Sequence, residues 1–450
     1  MNADLSQVLG TGAMVVLFAT SALFLLVRMD LAPAGGRPGP LDGGGRWFLG
    51  AALGVGIIAF SLKLAIILTL SSFPEQTIAP LLPDPALAVR EDGRTEWPLL
   101  AGPDGGDRPY PWRALPAVVP SPPDNPTTPA KVALGERLFH DKDLSLDHTV
   151  SCASCHDLLG GAGGDRRATS LGIRGIVGGR NAPTVWNAAF QSRLFWDGRA
   201  GSLEEQAMGP PLNPDEMGMP SAAAIEARIG ASPSYREAFA EAFGDDAPVT
   251  MRRITQAIAA FERTLVTNDS PYDRFVRGDD KALDPAQKRG MWLFQSVGCV
   301  MCHSGPNFSG ASLVGPQNPY APLMASRSAP ARRHGLTVDK GKAPAGSVDG
   351  LWRIPSLRNV ALTAPYFHNG SVSELEEAVR VMATAQLNAT LSEDRRLGKT
   401  PSWSVEGGRF EVVERLVLSE ADIRDIAAFL RGLTSDRLAR LSLDRERGPE

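Results

Sequence analysis

The chain has 450 residues, enough for two or three domains of ordinary size, and a formal net charge of −4. So even a balance excludes the basic stripe expected of a nucleic-acid-binding protein. Glycine (46) and proline (36) are plentiful, but they cluster outside the segments whose pattern suggests packing.

Two apolar runs open the chain, VLGTGAMVVLFATSALFLLV (8–27) and WFLGAALGVGIIAFSLKLAIILTL (47–70). Each is long enough to span a bilayer. The first has an acidic N-terminal flank and no small-residue cleavage site, which argues against a removable signal peptide. Arg28, Arg37 and Arg46 lie between the runs, so the positive-inside rule puts that loop in the cytoplasm and both termini outside. Lys63 interrupts the second run; it is expected to snorkel toward the periplasmic interface, with a functional intramembrane lysine as the alternative. Residues 1–70 are therefore expected to be two transmembrane helices with a cytoplasmic loop. The rest of the chain is then periplasmic and anchored to a bacterial inner membrane. Residues 71–127, with LLPDPALA, AGPDGGDRPYPW and VVPSPPDNPTTP, read as a Pro/Gly-rich periplasmic linker.

Beyond it one pattern occurs twice. Thr128-Pro129 has the form of an N-cap followed by proline at the first helical position, and AKVALGERLF follows. Asp284-Pro285 opens AQKRGMWLF in the same way. Each helix leads to a C-x-x-C-H motif, Cys152-Ala-Ser-Cys155-His156 and Cys299-Val-Met-Cys302-His303, and these use all four cysteines. In such a motif the thiols form thioethers to haem vinyl groups and the histidine ligates iron. A redox dithiol or half a zinc site are the alternatives for one copy; two copies with no cysteine to spare point to two covalent haem c groups. Amphipathic helices are expected at MRRITQAIAAFERTLV (251–266) and, after a Ser419 cap, at EADIRDIAAFLRGL (420–433). Strand signals are sparse. The expected fold is mainly α: two cytochrome c-type haem domains, 128–283 and 284–450 with its tail, preceded by the two transmembrane helices.

RNAPTVWNAAF (180–190), FWDGRAGSLEEQAMGP (195–210), NPDEMG (213–218) and LRNVALTAPYFHNGSVSELEEAVRVMATAQL (357–387) carry a resemblance. Over residues 128 to 436 the chain resembles the bacterial dihaem cytochrome c peroxidases and the related MauG-type enzymes, which oxidise residues of a partner protein. The resemblance does not extend to the membrane spans. It implies that His303 and Met382 are the axial ligands of an electron-transfer haem. From spacing alone Met382 is a core residue, since Leu375, Val379 and Met382 share a helical face. MauG-type enzymes carry Tyr at the position of Met382. The haem of His156 is implied to be the peroxidatic one, with Glu216 as its acid–base carboxylate, Gln206 as a distal hydrogen-bonding group and Pro210 shaping the pocket. A lone Glu is otherwise most simply a solvated surface residue. Trp196 matches the tryptophan between the haems, an electron relay. Asn181, with the carbonyls of Thr363 and Pro365, matches a calcium site; His368 matches a structural histidine near it.

One departure stands out. The position of the distal histidine that blocks the peroxidatic haem in many of these enzymes falls on Ile173, and no histidine occurs between His156 and His303. This haem is then expected to be open in the oxidised enzyme unless His140 or His148 replaces the missing ligand. The expected activity is reduction of hydrogen peroxide with electrons from a cytochrome c or a membrane quinol. The resemblance also allows a homodimer. MauG-type oxidation of a partner protein, or an anchored dihaem electron carrier without catalysis, are the alternatives.

Overall fold

A computed structural model of the chain describes residues 99–101, 107–244, 247–393, 398–406 and 409–447. The two apolar runs and most of the expected linker lie outside the described residues. Among the described residues no helix is long and apolar enough to cross a membrane.

A short hairpin, β1 (Leu99–Ala101) and β2 (Asp107–Pro109), precedes helix α1 (Pro129–His140). The first C-x-x-C forms α2 (Cys152–Cys155), and α3 (Leu203–Leu212), α4 (Ala222–Ala231), α5 (Pro233–Phe243) and α6 (Met251–Glu262) follow. After α7 (Pro271–Val276) the pattern restarts with α8 (Pro285–Ser296). An antiparallel pair, β3 (Tyr320–Leu323) and β4 (Gly350–Arg353), flanks α9 (Ala329–Arg333), and α10 (Leu375–Gln386) follows. A three-stranded sheet comes next. In it β7 (Arg409–Ser419) pairs parallel with β5 (Thr390–Ser392) and antiparallel with β6 (Gly398–Glu406). Helices α11 (Glu420–Arg431) and α12 (Asp436–Arg447) close the chain.

The helix starts follow from their caps. Thr128 accepts a hydrogen bond from the Lys131 amide, while Asp284 with Gln287 and Ser419 with Asp422 form reciprocal capping boxes. Each half is built on one crossing, α1 against α6 and α8 against α11. The helices touch at glycine. A Cβ on Gly135 would lie 1.9 Å from the Ala257 carbonyl oxygen, and one on Gly290 would lie 1.8 Å from that of Asp425. Around the first crossing Leu134, Leu138, Phe139, Ile254, Ile258 and Phe261 are buried; around the second, Met291, Leu293, Phe294, Ile423, Ile426 and Phe429. Burial of each such side chain stabilises by about 1.5–3 kcal/mol. Leu438 of α12 returns to the first core.

Two expectations change here. Strands were expected to be sparse, yet β6 and β7 form a ladder from Gly398↔Val417 to Glu406↔Arg409. The described end of the expected linker is not a free spacer. Leu115 and Asn125 are each 1% exposed. The Leu115 amide donates to Asp273 (3.2 Å), Tyr272 donates to the Arg113 carbonyl (3.0 Å), and Asn125 donates to the Gln256 carbonyl (2.9 Å). Apolar and aromatic residues set among the prolines hold this strap to the body.

The two halves meet at a buried hydroxyl. Asn187 and Asn359 both adopt the left-handed conformation (φ 61° and 59°), which asparagine tolerates better than most residues. Their side-chain amides both donate to Thr267 Oγ1, at 2.7 and 3.0 Å. Asn187 Oδ1 accepts from the Thr267 backbone amide (2.8 Å), and Asn359 Oδ1 accepts from the Ser435 backbone amide (2.9 Å). Thr267→Val removes the shared acceptor and leaves two buried amide donors unpartnered, at about 1–3 kcal/mol each. The urea midpoint of the variant should fall for both halves together, followed by tryptophan fluorescence and far-UV circular dichroism, while Thr267→Ser should retain most of the stability. A midpoint unchanged in Thr267→Val would show that the hydroxyl does not join the halves.

Candidate active site

Each C-x-x-C-H motif presents its histidine in the same way. His156 Nδ1 lies 3.1 Å from the Gly163 carbonyl oxygen, and His303 Nδ1 lies 3.1 Å from that of Phe308. A carbonyl only accepts, so Nδ1 carries the proton in both rings and Nε2 is left as the ligating nitrogen. Burial lowers both histidine pKa values, which favours the neutral, ligating form. None of the four cysteines is paired in a disulfide, and all four are partly buried.

Around the second motif lies a cavity of about 290 Å³. Cys299, Cys302 and His303 form one wall, and Met382 of α10 belongs to another with Leu375 and Val379. Met382 thus lies on the helical face of Leu375 and Val379, and it lines the same cavity as His303. An imidazole nitrogen, two thiols at haem-attachment spacing, apolar walls and a thioether sulfur fit a covalently bound haem.

The first half repeats this frame with different side chains. Leu194 bridges Ala200 as Tyr366 bridges Val372, and the ion pair Arg263–Glu204 (2.6 Å) corresponds to Arg431–Glu376 (2.7 Å). In the aligned runs SLEEQAMGP and ELEEAVRVM, Leu203 corresponds to Leu375 and Pro210 to Met382. Proline has no donor atom for iron. Gln206 stands one turn before Pro210 on α3, and both are partly buried. Glu216 follows on the next turn. Its Oε1 accepts from the Asn213 side chain (2.8 Å), and burial raises its pKa above the ordinary carboxylate value.

Ile173 is 3% exposed and packs in the first core, and its amide donates to the Glu216 carbonyl (2.8 Å). Gly172 lies so close to this turn that a Cβ there would be 1.9 Å from the Asp215 carbonyl oxygen. The two upstream histidines are engaged on the surface. His140 bonds the Glu136 carbonyl (2.9 Å), and His148 pairs with Asp143 (2.7 Å) with over half its side chain exposed.

Between the halves, Trp196 Nε1 donates to the Asn181 carbonyl (2.8 Å), and Trp196 lines the same cavity as Met382. His368 meets Trp196 edge-on at 6.4 Å and stacks on Trp352 at 4.1 Å. Burial lowers the His368 pKa to about 4, so the ring is neutral. Asn181, Thr363 and Pro365 line this cavity together. The Asn181 side-chain amide donates to the Arg167 carbonyl (2.8 Å). Among the described residues no group of three or more His, Cys, Asp or Glu could hold a metal ion.

A family model described as "Di-haem cytochrome c peroxidase" matches residues 129–281. The cytochrome c peroxidase Ccp of Escherichia coli is 42% identical over 286 residues, 62% of this chain and 58% of that protein. The chain thus spans little more than half the length of this relative. The cytochrome c551 peroxidase of Pseudomonas aeruginosa is 43% identical over 58% of this chain and 74% of that protein. A crystal structure of a MauG-like protein associated with microbial copper homeostasis superposes with TM-score 0.58 and 31% identity, over 72% of this chain and 95% of that one.

Sequence reasoning missed Glu262. It is 4% exposed, and its Oε2 has no hydrogen-bond partner. In the aligned runs AAFERTL and AAFLRGL it corresponds to Leu430, which lines the cavity of the second half. That exchange of carboxyl for leucine between the repeats was the available signal. Burial pushes the Glu262 pKa up to about 8, against the pull of Arg263 and with a smaller push from Glu204. A raised acid stabilises the fold fully below its unfolded value of about 4.5, and that stability is lost as pH rises toward about 8. Glu262→Gln should therefore be more stable than the parent by a margin that grows across this window, read as the urea midpoint of the haem-loaded protein. A margin independent of pH would show that Glu262 does not titrate in the fold.

Proposed function

The chain belongs to the di-haem cytochrome c peroxidase family, and we propose that it is an oxidoreductase that reduces hydrogen peroxide with electrons from a c-type cytochrome. The balance is H₂O₂ + 2 e⁻ + 2 H⁺ → 2 H₂O. Two covalent haem c groups are assigned, one to Cys152, Cys155 and His156, the other to Cys299, Cys302 and His303. Bound haem supplies the redox-active iron that receives single electrons and cleaves the O–O bond.

The observation that carries this reading is the exchange of Met382 for Pro210 within one repeated frame. Met382 would supply a sulfur ligand to the haem held by His303, as suits electron transfer. Pro210 has no ligand atom to offer the haem held by His156, which would leave that haem able to take peroxide. Glu216 takes a proton from the near peroxide oxygen and returns it to the departing one. Its raised pKa brings it closer to neutrality, where such a relay works in both directions. Gln206 hydrogen-bonds the peroxide, and Pro210 shapes the pocket. Trp196 carries electrons between the halves. Asn181 with the carbonyls of Thr363 and Pro365 would hold Ca²⁺ through oxygen ligands alone. The runs 8–27 and 47–70 would anchor the protein in the inner membrane with the haem halves in the periplasm, in reach of quinol as a second donor.

A second reading, oxidation of a partner protein in the manner of MauG-type enzymes, is favoured by Ile173, which cannot block the first haem. Met382, where those enzymes carry Tyr, counts against it.

Low-temperature EPR of the oxidised protein should show a high-spin ferric signal that one equivalent of H₂O₂ removes. Glu216→Gln should lower peroxide turnover by about 10²–10⁴-fold at unchanged haem content. Two low-spin haems indifferent to peroxide would sink the assignment of an open site at His156. Peroxide-dependent modification of a partner protein, with little turnover of a cytochrome donor, would establish the second reading.

A further inference from the structure

Arg353, at the end of β4, lies in the wall of the cavity that holds His303 and Met382 and is 5% exposed. A buried guanidinium is costly unless an anion compensates it. Its protein partners are neutral. Nε donates to the Phe195 carbonyl (2.8 Å), and Nη1 donates to Gln191 Oε1 (3.2 Å). Among the described residues no carboxylate pairs with it. The nearest acid acting on it, Asp197, is held by Arg180 (2.8 Å) and Arg199 (2.9 Å). The Arg353 amide also donates to the Trp196 carbonyl (3.0 Å), so main chain and side chain both clamp the segment that carries Trp196. In the aligned runs RNAPTVWN and WRIPSLRN the corresponding residue of the first half is Asn181, which is neutral.

We infer that Arg353 is a positioning and charge-compensating residue for electron transfer: its guanidinium pairs with a carboxylate of the haem bound at His303 and thereby raises the reduction potential of that haem selectively. The inference rests on the assignment of a haem to the second motif. Haem carries the only carboxylates that binding would bring into this cavity. Burial lowers the Arg353 pKa to about 10, which leaves it a cation at neutral pH. Reduction takes this iron from ferric to ferrous with one electron, while the donor cytochrome iron goes from ferrous to ferric, and no bond forms or breaks. The fixed positive charge favours the ferrous form. Without it the haem carboxylate stands uncompensated and favours the ferric form. Two neutral hydrogen bonds hold the guanidinium plane in place, so the compensation requires no rearrangement on reduction.

The test is a spectroelectrochemical titration of the haem-loaded full-length protein. The parent must first show two haems per chain and a methionine-ligated low-spin spectrum that Met382→Ala abolishes; its failure there would overturn the haem assignment, independently of Arg353. Arg353→Gln, which keeps a donor and loses the charge, should shift the reduction equilibrium of this haem at least tenfold toward ferric, 59 mV for a one-electron couple. Arg353→Lys should stay within about threefold of the parent, because the charge remains. The other haem should move little in either variant. Should Arg353→Gln lose haem, Arg353→Met preserves the stem volume and gives the same reading. An unchanged potential in the neutral variant overturns the inference. So does an equal shift in Arg353→Lys, since that would mark a structural effect in place of a charge effect.

Discussion

The Thr267 hydroxyl, which accepts from two buried asparagine amides at once, is the contact on which the relation between the two halves depends. Asn187 heads the segment that runs to Trp196, and Asn359 heads the one that runs to His368. Because each asparagine sits at positive φ, the chain turns sharply there and cannot slide along its neighbour. With both amides tied to one oxygen, the first-half segment carrying Trp196 is fixed against the second-half cavity. The clamp from Arg353 to Phe195 and Trp196 then fixes the far end of the same segment. The segment that carries Trp196 is thus held at both ends by buried polar contacts, which are expensive to break.

The two halves repeat one frame. Both halves share the glycine crossing, the Arg–Glu pair, the asparagine turn and the histidine with its Nδ1 bonded to a carbonyl. A frame that holds itself together without its pocket residues can exchange those residues freely. Four exchanges stand out: Pro210 for Met382, Glu262 for Leu430, Asn181 for Arg353 and Trp196 for His368. The first three place a thioether, an acid or a cation in one half where the other has none, and the fourth exchanges an indole for an imidazole. What is common to the halves is the packing frame, and what differs is the chemistry of the side chains set in it.

Much of this was legible in the sequence because it is local. Caps, motif spacing and amphipathic periods are set within a few residues, so α1, α6, α8 and α11 were readable at nearly their observed lengths. The ladder of β6 and β7 was overlooked although Gly407-Gly408 between two alternating runs is a hairpin signature. The strap around Leu115 could not be read from its composition, because prolines mark loops whether they are free or docked. Glu262 and Arg353 were missed for another reason. A single charge on a helix or strand is ordinarily solvated, and only the tertiary fold shows these two to be buried. Spacing alone reads Met382 as a core residue, and only the fold shows that it lines one cavity with His303.

Ile173 ties the loop from 169 to 184 to the turn that carries Glu216. A loop that carries a ligand on and off iron must move easily. The loop from 169 to 184 is instead fastened. Burial of Ile173 contributes about 1.5–3 kcal/mol, and its amide is bonded to the Glu216 carbonyl. Gly172 packs against Asp215 with no room for a single methyl group. Any displacement of this loop would pull on the turn that positions Glu216. In the proposed peroxidase, a proton relay at Glu216 needs its carboxyl in place before the substrate arrives. A buried isoleucine at 173 suits that proposal on both counts: it offers no ligand atom, and it makes the loop a rigid support for Glu216.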